Sequence, residues 1–497
     1  MLFYIIHNNF RKNIILNITL VFTLLFYSIV YATGVLDTSF DITNEEKSFI
    51  LKRDARTQNH LLACHQELFP DGFDKDIHKL PKIAFCFSGG GNRALITSLG
   101  FMQGAEKIGL LDCASYASFL SGSSWFYLSF LLKNMSTTMG LQDYRDFLQS
   151  RLEKPFKKNA RKFLKEIQHV RKVRGSAAIS DGFGRVVYTY LLDNTVPEHA
   201  SFKDIRAHLL SSGENMPFPL FTAIIKNTTP YRWLEVNPFS TGSNELGGYI
   251  PTNYFGSIFT QGTCSKNYPE LSLASFMGIF GSAYCLNTSE LTGAIKTKFL
   301  PSSVQKYFAL TEEKPSRLES YLNVGVQLLP NPIEAHSKFN NFLHTTTVDP
   351  VKSSHMIVAD AGIDFNLPTP PLLKKQRNID VIIICDASYK KAALPNNFKH
   401  LKKAQKYAHD HGIPFPKLTN PVEIAQNILV FEDQDPNVPT VIYFRSSATT
   451  STLKFSYTAS EFNNVCDETQ KRLVAAQDKI FEVIKRKTRL LNGFAIA

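Results

Sequence analysis

The chain has 497 residues, 44% of them hydrophobic and 20% charged, with a formal net charge of +12. That balance excludes a disordered or low-complexity chain and leaves room for a large buried core, in one large α/β unit or in more than one domain. The cationic excess favours an anionic partner; since no nucleic-acid motif accompanies it, a membrane surface carrying acidic lipid is expected and nucleic acid is not.

Residues 1–32 form a separate element. Arg11 and Lys12 precede Ile14–Ala32, an uncharged and mostly apolar stretch, near the length that spans a bilayer. Val30-Tyr31-Ala32 offers a small-residue cleavage site. The expectation is a signal peptide or N-terminal membrane anchor over residues 1–33, entering with its N-terminus inside. It puts the rest of the chain in a secreted or extracytoplasmic location, or on a membrane anchor. Residues 34–79 carry a charged helical stretch, with Asn44 as N-cap and Glu45 and Glu46 in its first turn. The seven cysteines, at 64, 86, 113, 264, 285, 385 and 466, show no zinc spacing, and no metal is expected.

Lys82–Leu132 organises the remainder. Ile83–Phe87 is a continuous apolar run of β-formers, read as a strand buried on both faces. Ser88-Gly89-Gly90-Gly91 ends it, and a helix follows from Arg93 to about Gly104. Backbone N–H groups in such a turn, together with a helix N-terminus, suit an anion. No Walker sequence follows. Gly89, Gly91 and Ala94 fit a loose dinucleotide turn, but Asp112, the acid at about the right distance, precedes the next strand-like run. Phe119-Leu120-Ser121-Gly122-Ser123 then sets a serine between a β-type run and an apolar helix, the local pattern of a nucleophile elbow. An oxyanion site and a nucleophile are what acyl transfer needs.

Arg151–Arg174 is strongly basic with Phe156, Phe163, Ile167 and Val170 interspersed. It reads as a helix packed on the domain through its apolar face, or as a cationic helix resting on anionic headgroups. Residues from about 264 to 354 are less regular, with helical pieces at Ser303–Phe308 and Arg317–Tyr321. Met356–Ala359 is strand-like and delivers Asp360 into a tight Asp-Ala-Gly turn. Asp380–Ala387 and Val441–Phe444 are further strands, and Phe462–Lys487 is a closing helix. His409-Asp410-His411 lies at a helix end and lacks the spacing of a helical zinc pair. No histidine has a triad-like context, which suits a dyad.

SGGGNRAL at Ser88–Leu95 and LLDCASYASFLSGSSW at Leu110–Trp125 resemble the SGGGxRA and GLSGS(T/S)W patterns of the cytosolic phospholipase A2 and lysophospholipase family. PLFTAIIKN (Pro219–Asn227), FMGIFGSAY (Phe276–Tyr284), DAGIDFNLP (Asp360–Pro368) and IPFPKL (Ile413–Leu418) match in the same order, so the resemblance runs from about residue 42 nearly to the C-terminus. It implies an α/β fold: a three-layer, patatin-like or cytosolic phospholipase A2-like hydrolase core with a central mixed sheet, over residues 80–497, and an inserted cap at about 265–355. It also implies Ser121 as nucleophile, Asp360 as base, Gly90 and Gly91 as oxyanion donors and Arg93 as the ligand of the lipid phosphate, with no cofactor. A structural salt bridge is the other role open to Arg93.

Three positions depart from the family pattern. Phe119 stands where glycine is usual, so its ring must point away or the turn must differ. Asn92 fills a variable slot, and Ala361 replaces a common serine. No calcium-binding lipid-targeting module precedes the catalytic domain in this sequence, so calcium-dependent translocation is not expected. The resemblance implies hydrolysis of phospholipid or lysophospholipid acyl esters. A serine esterase or peptidase with soluble substrates, and an inactive lipid binder, are the alternatives.

Overall fold

The computed structural model describes residues 36–156, 159–212, 215–283, 337–388 and 398–494. The hydrophobic stretch before residue 36, the helical pieces at Ser303–Phe308 and Arg317–Tyr321, and Cys285 lie outside them. Helix α1 (Asn44–Cys64) opens the described chain. Its cap is Thr43 rather than Asn44: the Thr43 hydroxyl accepts from the Glu46 N–H, and Asn44 is already the first helical residue. Strand β1 (Ile83–Phe87) is buried at every position, as its apolar run predicts, and leads through the glycine turn into α2 (Asn92–Lys107). Strand β2 (Ala114–Phe119) and helix α3 (Gly122–Thr137) repeat the pattern.

The basic stretch divides. A helix that ends at Leu152 precedes α4 (Ala160–Arg174), whose Phe163, Ile167 and Val170 are buried against α5 (Ile179–Leu191). Its apolar face therefore packs on the domain. Strands β3 (Phe218–Ile225), β4 (Arg232–Val236), β5 (Ser240–Ser243) and β6 (Gly248–Pro251) follow, then α6 (Leu273–Phe280). After β7 (Ser337–Asn340) and β8 (His355–Asp360) come β9 (Val381–Asp386), α7 (Lys399–Asp410), β10 (Val422–Ala425), β11 (Ile428–Phe431) and β12 (Thr440–Arg445). The closing helix is broken at Ala476 into α8 (Ala459–Ala475) and α9 (Gln477–Leu491). Helix α6 is wholly buried and β7 joins the main sheet, so both ends of the interval expected to form a cap belong to the core.

One mixed sheet of 12 strands runs β10-β11-β12-β9-β1-β2-β3-β4-β5-β6, with β8 joined to β3 and β7 to β8. Its centre, β12-β9-β1-β2-β3, is parallel. The turns after β1, β2 and β9 therefore open on one side, where parallel α/β sheets carry their sites. Strand β3 holds two partners on one edge. Parallel β2 pairs with its first half, ending at Phe119 beside Phe221; antiparallel β8 pairs with its second half, ending at Asp360 beside Ala223.

Helix α1 is fastened to this sheet by a buried ion triad. The Arg377 guanidinium contacts Glu46 of α1 at 2.8 Å and Glu235 of β4 at 2.6 Å, with all three side chains inaccessible or nearly so. Burial works against the ionised Glu235, but the Arg377 charge outweighs it and holds the carboxyl below its usual pKa. Replacing Arg377 by alanine leaves two like charges in the core without the cation between them. Arg377→Ala is expected to lower unfolding free energy by about 3–5 kcal/mol, measured by denaturant titration, and a loss within about 1 kcal/mol would contradict this.

Candidate active site

Ser121 sits two residues beyond the end of β2, at φ 55° and ψ −119°. A side chain rarely adopts that backbone geometry, which is strained and is the form an elbow needs to present a hydroxyl above the strand ends. Close packing holds it there. A Cβ on Gly122 would stand 2.0 Å from the Gly91 carbonyl oxygen, and one on Gly89 would stand 2.9 Å from the Ser121 Cβ. The glycine turn and the elbow therefore touch, and only glycine permits the approach. Gly90 and Gly91 both have positive φ, 146° and 60°. Neither amide donates to a described backbone carbonyl.

The doubt over Phe119 resolves in the packing. Its ring is fully buried, stacked on Tyr127 at 4.3 Å and on Phe87 at 5.1 Å, with Phe221 beside it. It faces the core, and the elbow forms beyond it.

Asp360 ends β8 with its carboxylate buried. The carboxylate accepts the Gly362 N–H at 2.8 Å, and the Ser121 hydroxyl and the Ala283 N–H lie close enough to favour its ionised form. Burial pushes its pKa up to about 7, although the nearby Gly362 N–H, Ser121 hydroxyl and Ala283 N–H each favour the ionised form. Its own N–H donates to the Ser282 hydroxyl, which in turn donates to the Ile279 carbonyl of α6.

Arg93 is buried at the start of α2. Its Nε donates to the Ala387 carbonyl at 2.7 Å and its Nη1 to the Thr450 carbonyl, while Nη2 lies beside Gly90. The guanidinium thus fastens the glycine turn to the loops after β9 and β12 through carbonyl groups, and among the described residues no carboxylate forms a salt bridge with it. Burial lowers its pKa from the usual arginine value.

Three supporting residues were not singled out from the sequence. Asn366 Nδ2 donates to the Gly89 carbonyl at 2.9 Å, and its N–H donates to His400 Nδ1, so it bridges the glycine turn and the segment after Asp360. Ser123 Oγ accepts the Leu120 N–H and donates to the Phe87 carbonyl, tying the elbow to the end of β1. Thr222 Oγ1 donates to the Phe119 carbonyl. All three lie inside the matched motifs, Asn366 in DAGIDFNLP, Ser123 in LSGSSW and Thr222 in PLFTAIIKN, and that was the available signal. Asp112 is paired with Arg56 at 2.8 Å, which engages the acid a dinucleotide turn would need. His411 lies 3.7 Å from Glu245 and His409 is mostly exposed beside Asp410, and neither is among the partners of Asp360. Among the described residues there is no cluster placed to hold a metal ion, and the described cysteines are free thiols.

The model of the lysophospholipase catalytic domain matches residues 83–407. The chain belongs to that family. Relatives include human cytosolic phospholipase A2 epsilon, 26% identical over 465 residues, covering 82% of this chain and 52% of the relative. Mouse cytosolic phospholipase A2 zeta is 26% identical over 484 residues, covering 83% of this chain and 54% of its own. This lysophospholipase-family chain thus spans about half the length of the curated relatives it matches. Human GIVD cytosolic phospholipase A2 superposes with a TM-score of 0.71 at 18% identity, covering 92% of this chain and 69% of that one, a likeness of fold.

These relatives correct one expectation. A secreted, extracytoplasmic or membrane-anchored location was read from the hydrophobic stretch at residues 14–32, yet the matched family members are by name cytosolic phospholipases. Among the described residues no helix is long and apolar enough to cross a membrane. The basic flank, the apolar run and the Val30-Tyr31-Ala32 site that suggested it lie outside the described residues, and the relatives do not support the location they implied.

The raised pKa of Asp360 has a stability consequence. Its folded value, about 7, exceeds the unfolded one, so the folded chain binds the proton more tightly and loses stability as pH rises between about 4 and 7. Asp360→Asn carries no such titration. Its stability relative to the unsubstituted chain is expected to rise from about pH 5 to pH 8, by roughly 2.7 kcal/mol at most. Thermal unfolding at the two pH values checks this, and a difference independent of pH would contradict it.

Proposed function

We propose that this chain hydrolyses fatty-acyl esters of glycerophospholipids and lysophospholipids through a Ser121–Asp360 dyad, and that residues 80–497 are its catalytic unit. The observation that carries the reading is the placement of a strained elbow serine next to a buried aspartate whose pKa is pushed up to about 7. An ordinary carboxylate is a weak base for a hydroxyl; one raised to near neutrality and in direct contact is suited to the transfer.

In the first step the Ser121 Oγ–H proton passes to Asp360 as Oγ bonds to the ester carbonyl carbon. The carbonyl oxygen takes the negative charge, and the free amides of Gly90 and Gly91 are the donors we assign to it, each worth roughly 3 kcal/mol in comparable sites. The tetrahedral adduct collapses, the glycerol-side C–O bond breaks, and the leaving oxygen takes the proton back from Asp360. Water then gives a proton to Asp360 and its oxygen to the acyl carbon; release of the fatty acid returns the proton to Ser121. Arg93 is assigned to the substrate phosphate through Nη2, while its other two nitrogens hold the turn.

The family match supports a phospholipid substrate, and the charge of +12 supports an anionic membrane surface as partner. Phe119, with its ring in the core, takes away the main ground for an inactive lipid binder. Acyl release from mixed phospholipid and lysophospholipid vesicles tests the reading. Ser121→Ala and Asp360→Ala are each expected to lower release by about a thousandfold or more while vesicle binding persists. Retention of release within about tenfold in either variant would contradict the dyad.

A further inference from the structure

A concavity of about 220 Å³ lies away from the dyad between the end of α4, the start of α5 and the β7–β8 hairpin. His355, at one end of β8, lines it, whereas Asp360 closes the other end of that strand. Five residues of extended chain separate them by roughly 17 Å.

Arg174, the last residue of α4, lines this cavity with only 10% of its side chain exposed. A guanidinium carries five N–H donors in a fixed fork. Among the described residues the one acceptor that Arg174 reaches is Asp181 Oδ1, at 3.4 Å. That carboxylate is already occupied, by the Ala178 N–H on Oδ2 at 2.9 Å and the Ser275 hydroxyl on Oδ1 at 2.8 Å. Arg174 is otherwise packed on the Phe339 ring, at 5.6 Å, and its Nη1 points toward Gly256, another lining residue. The remaining Arg174 nitrogens are not enclosed by protein and open on the cavity, where an anionic acceptor can engage them. Lys338, Tyr268 and Asn340 line the same cavity, so cation and donors converge there against one engaged carboxylate. The 13-residue helix α5 begins at its wall and adds positive potential.

We propose that this cavity is a binding site for a phosphate group, with the Arg174 fork as its anchor and Lys338 as its outer cation. The fork geometry matches paired phosphate oxygens. Nothing in this site depends on the dyad or on lipid hydrolysis. The phosphate can belong to a small soluble phosphomonoester or to a lipid headgroup.

The test uses the full chain. Inorganic phosphate and glycerol 3-phosphate are titrated by calorimetry, and phosphatidate vesicles are compared with neutral phosphatidylcholine vesicles by sedimentation. Binding is expected to be saturable, weakened roughly tenfold by Lys338→Glu and lost with Arg174→Gln. Lys338 is exposed, so its charge reversal leaves the fold intact and keeps the test decisive even where Arg174→Gln does not fold. Loss of the calorimetric signal in the variants assigns a soluble phosphate compound; loss confined to phosphatidate vesicles assigns a headgroup. Unchanged affinity in Lys338→Glu, unchanged affinity in a folded Arg174→Gln, or no binding of either form by the unsubstituted chain, overturns the proposal.

Discussion

Two strands running toward each other along one edge of β3 are the constraint on which the site depends. Strand β2 ends with Phe119 beside Phe221, and β8 arrives from the opposite direction to end with Asp360 beside Ala223. Two ladder positions on β3 correspond to roughly 7 Å. Backbone hydrogen bonds thus bring the serine turn and the aspartate within reach before any side chain is considered. The short elbow then spans what remains, and the glycine turn after β1 is drawn in because Gly89 and Gly91 can touch Ser121 and Gly122.

Such a site costs free energy in two ways. Ser121 adopts a backbone conformation that side chains avoid, and Asp360 is held where water does not stabilise its charge. The surroundings offset both. The stack of Phe87, Phe119 and Tyr127 fixes the strand under the elbow. Ser123, Thr222 and Asn366 satisfy the carbonyl groups around it. On the far side, Arg377 binds α1 to β4 with both charges compensated. Rigidity around the site and cost within it go together.

Much of this was legible in the sequence because it is local. The buried strands β1 and β9, the glycine turn, the serine turn and the Asp-Ala-Gly turn are each written in a few adjacent residues. What escaped depends on register or on distant partners. That β8 meets β2 on the same edge of β3 follows from pairing between segments far apart in the chain. The Arg93 partners, Ala387 and Thr450, come from loops nearly three hundred residues or more away. Phe119 was ambiguous because a residue type does not say which face of a strand it occupies. Helix α1 read as an extension because its apolar spacing is modest, whereas Glu46 ties it into the core.

The pH dependence of covalent labelling tests the central claim, a serine activated by an aspartate near neutrality. The chain is treated with a lipid-like fluorophosphonate across the range from about pH 5 to pH 9, and the adduct is located by mass spectrometry. The account predicts a single adduct on Ser121, a labelling rate that rises with pH to a half-maximum near the Asp360 pKa of about 7, and no labelling of Asp360→Ala. An adduct on another residue, or a rate insensitive to pH around that value, would contradict it.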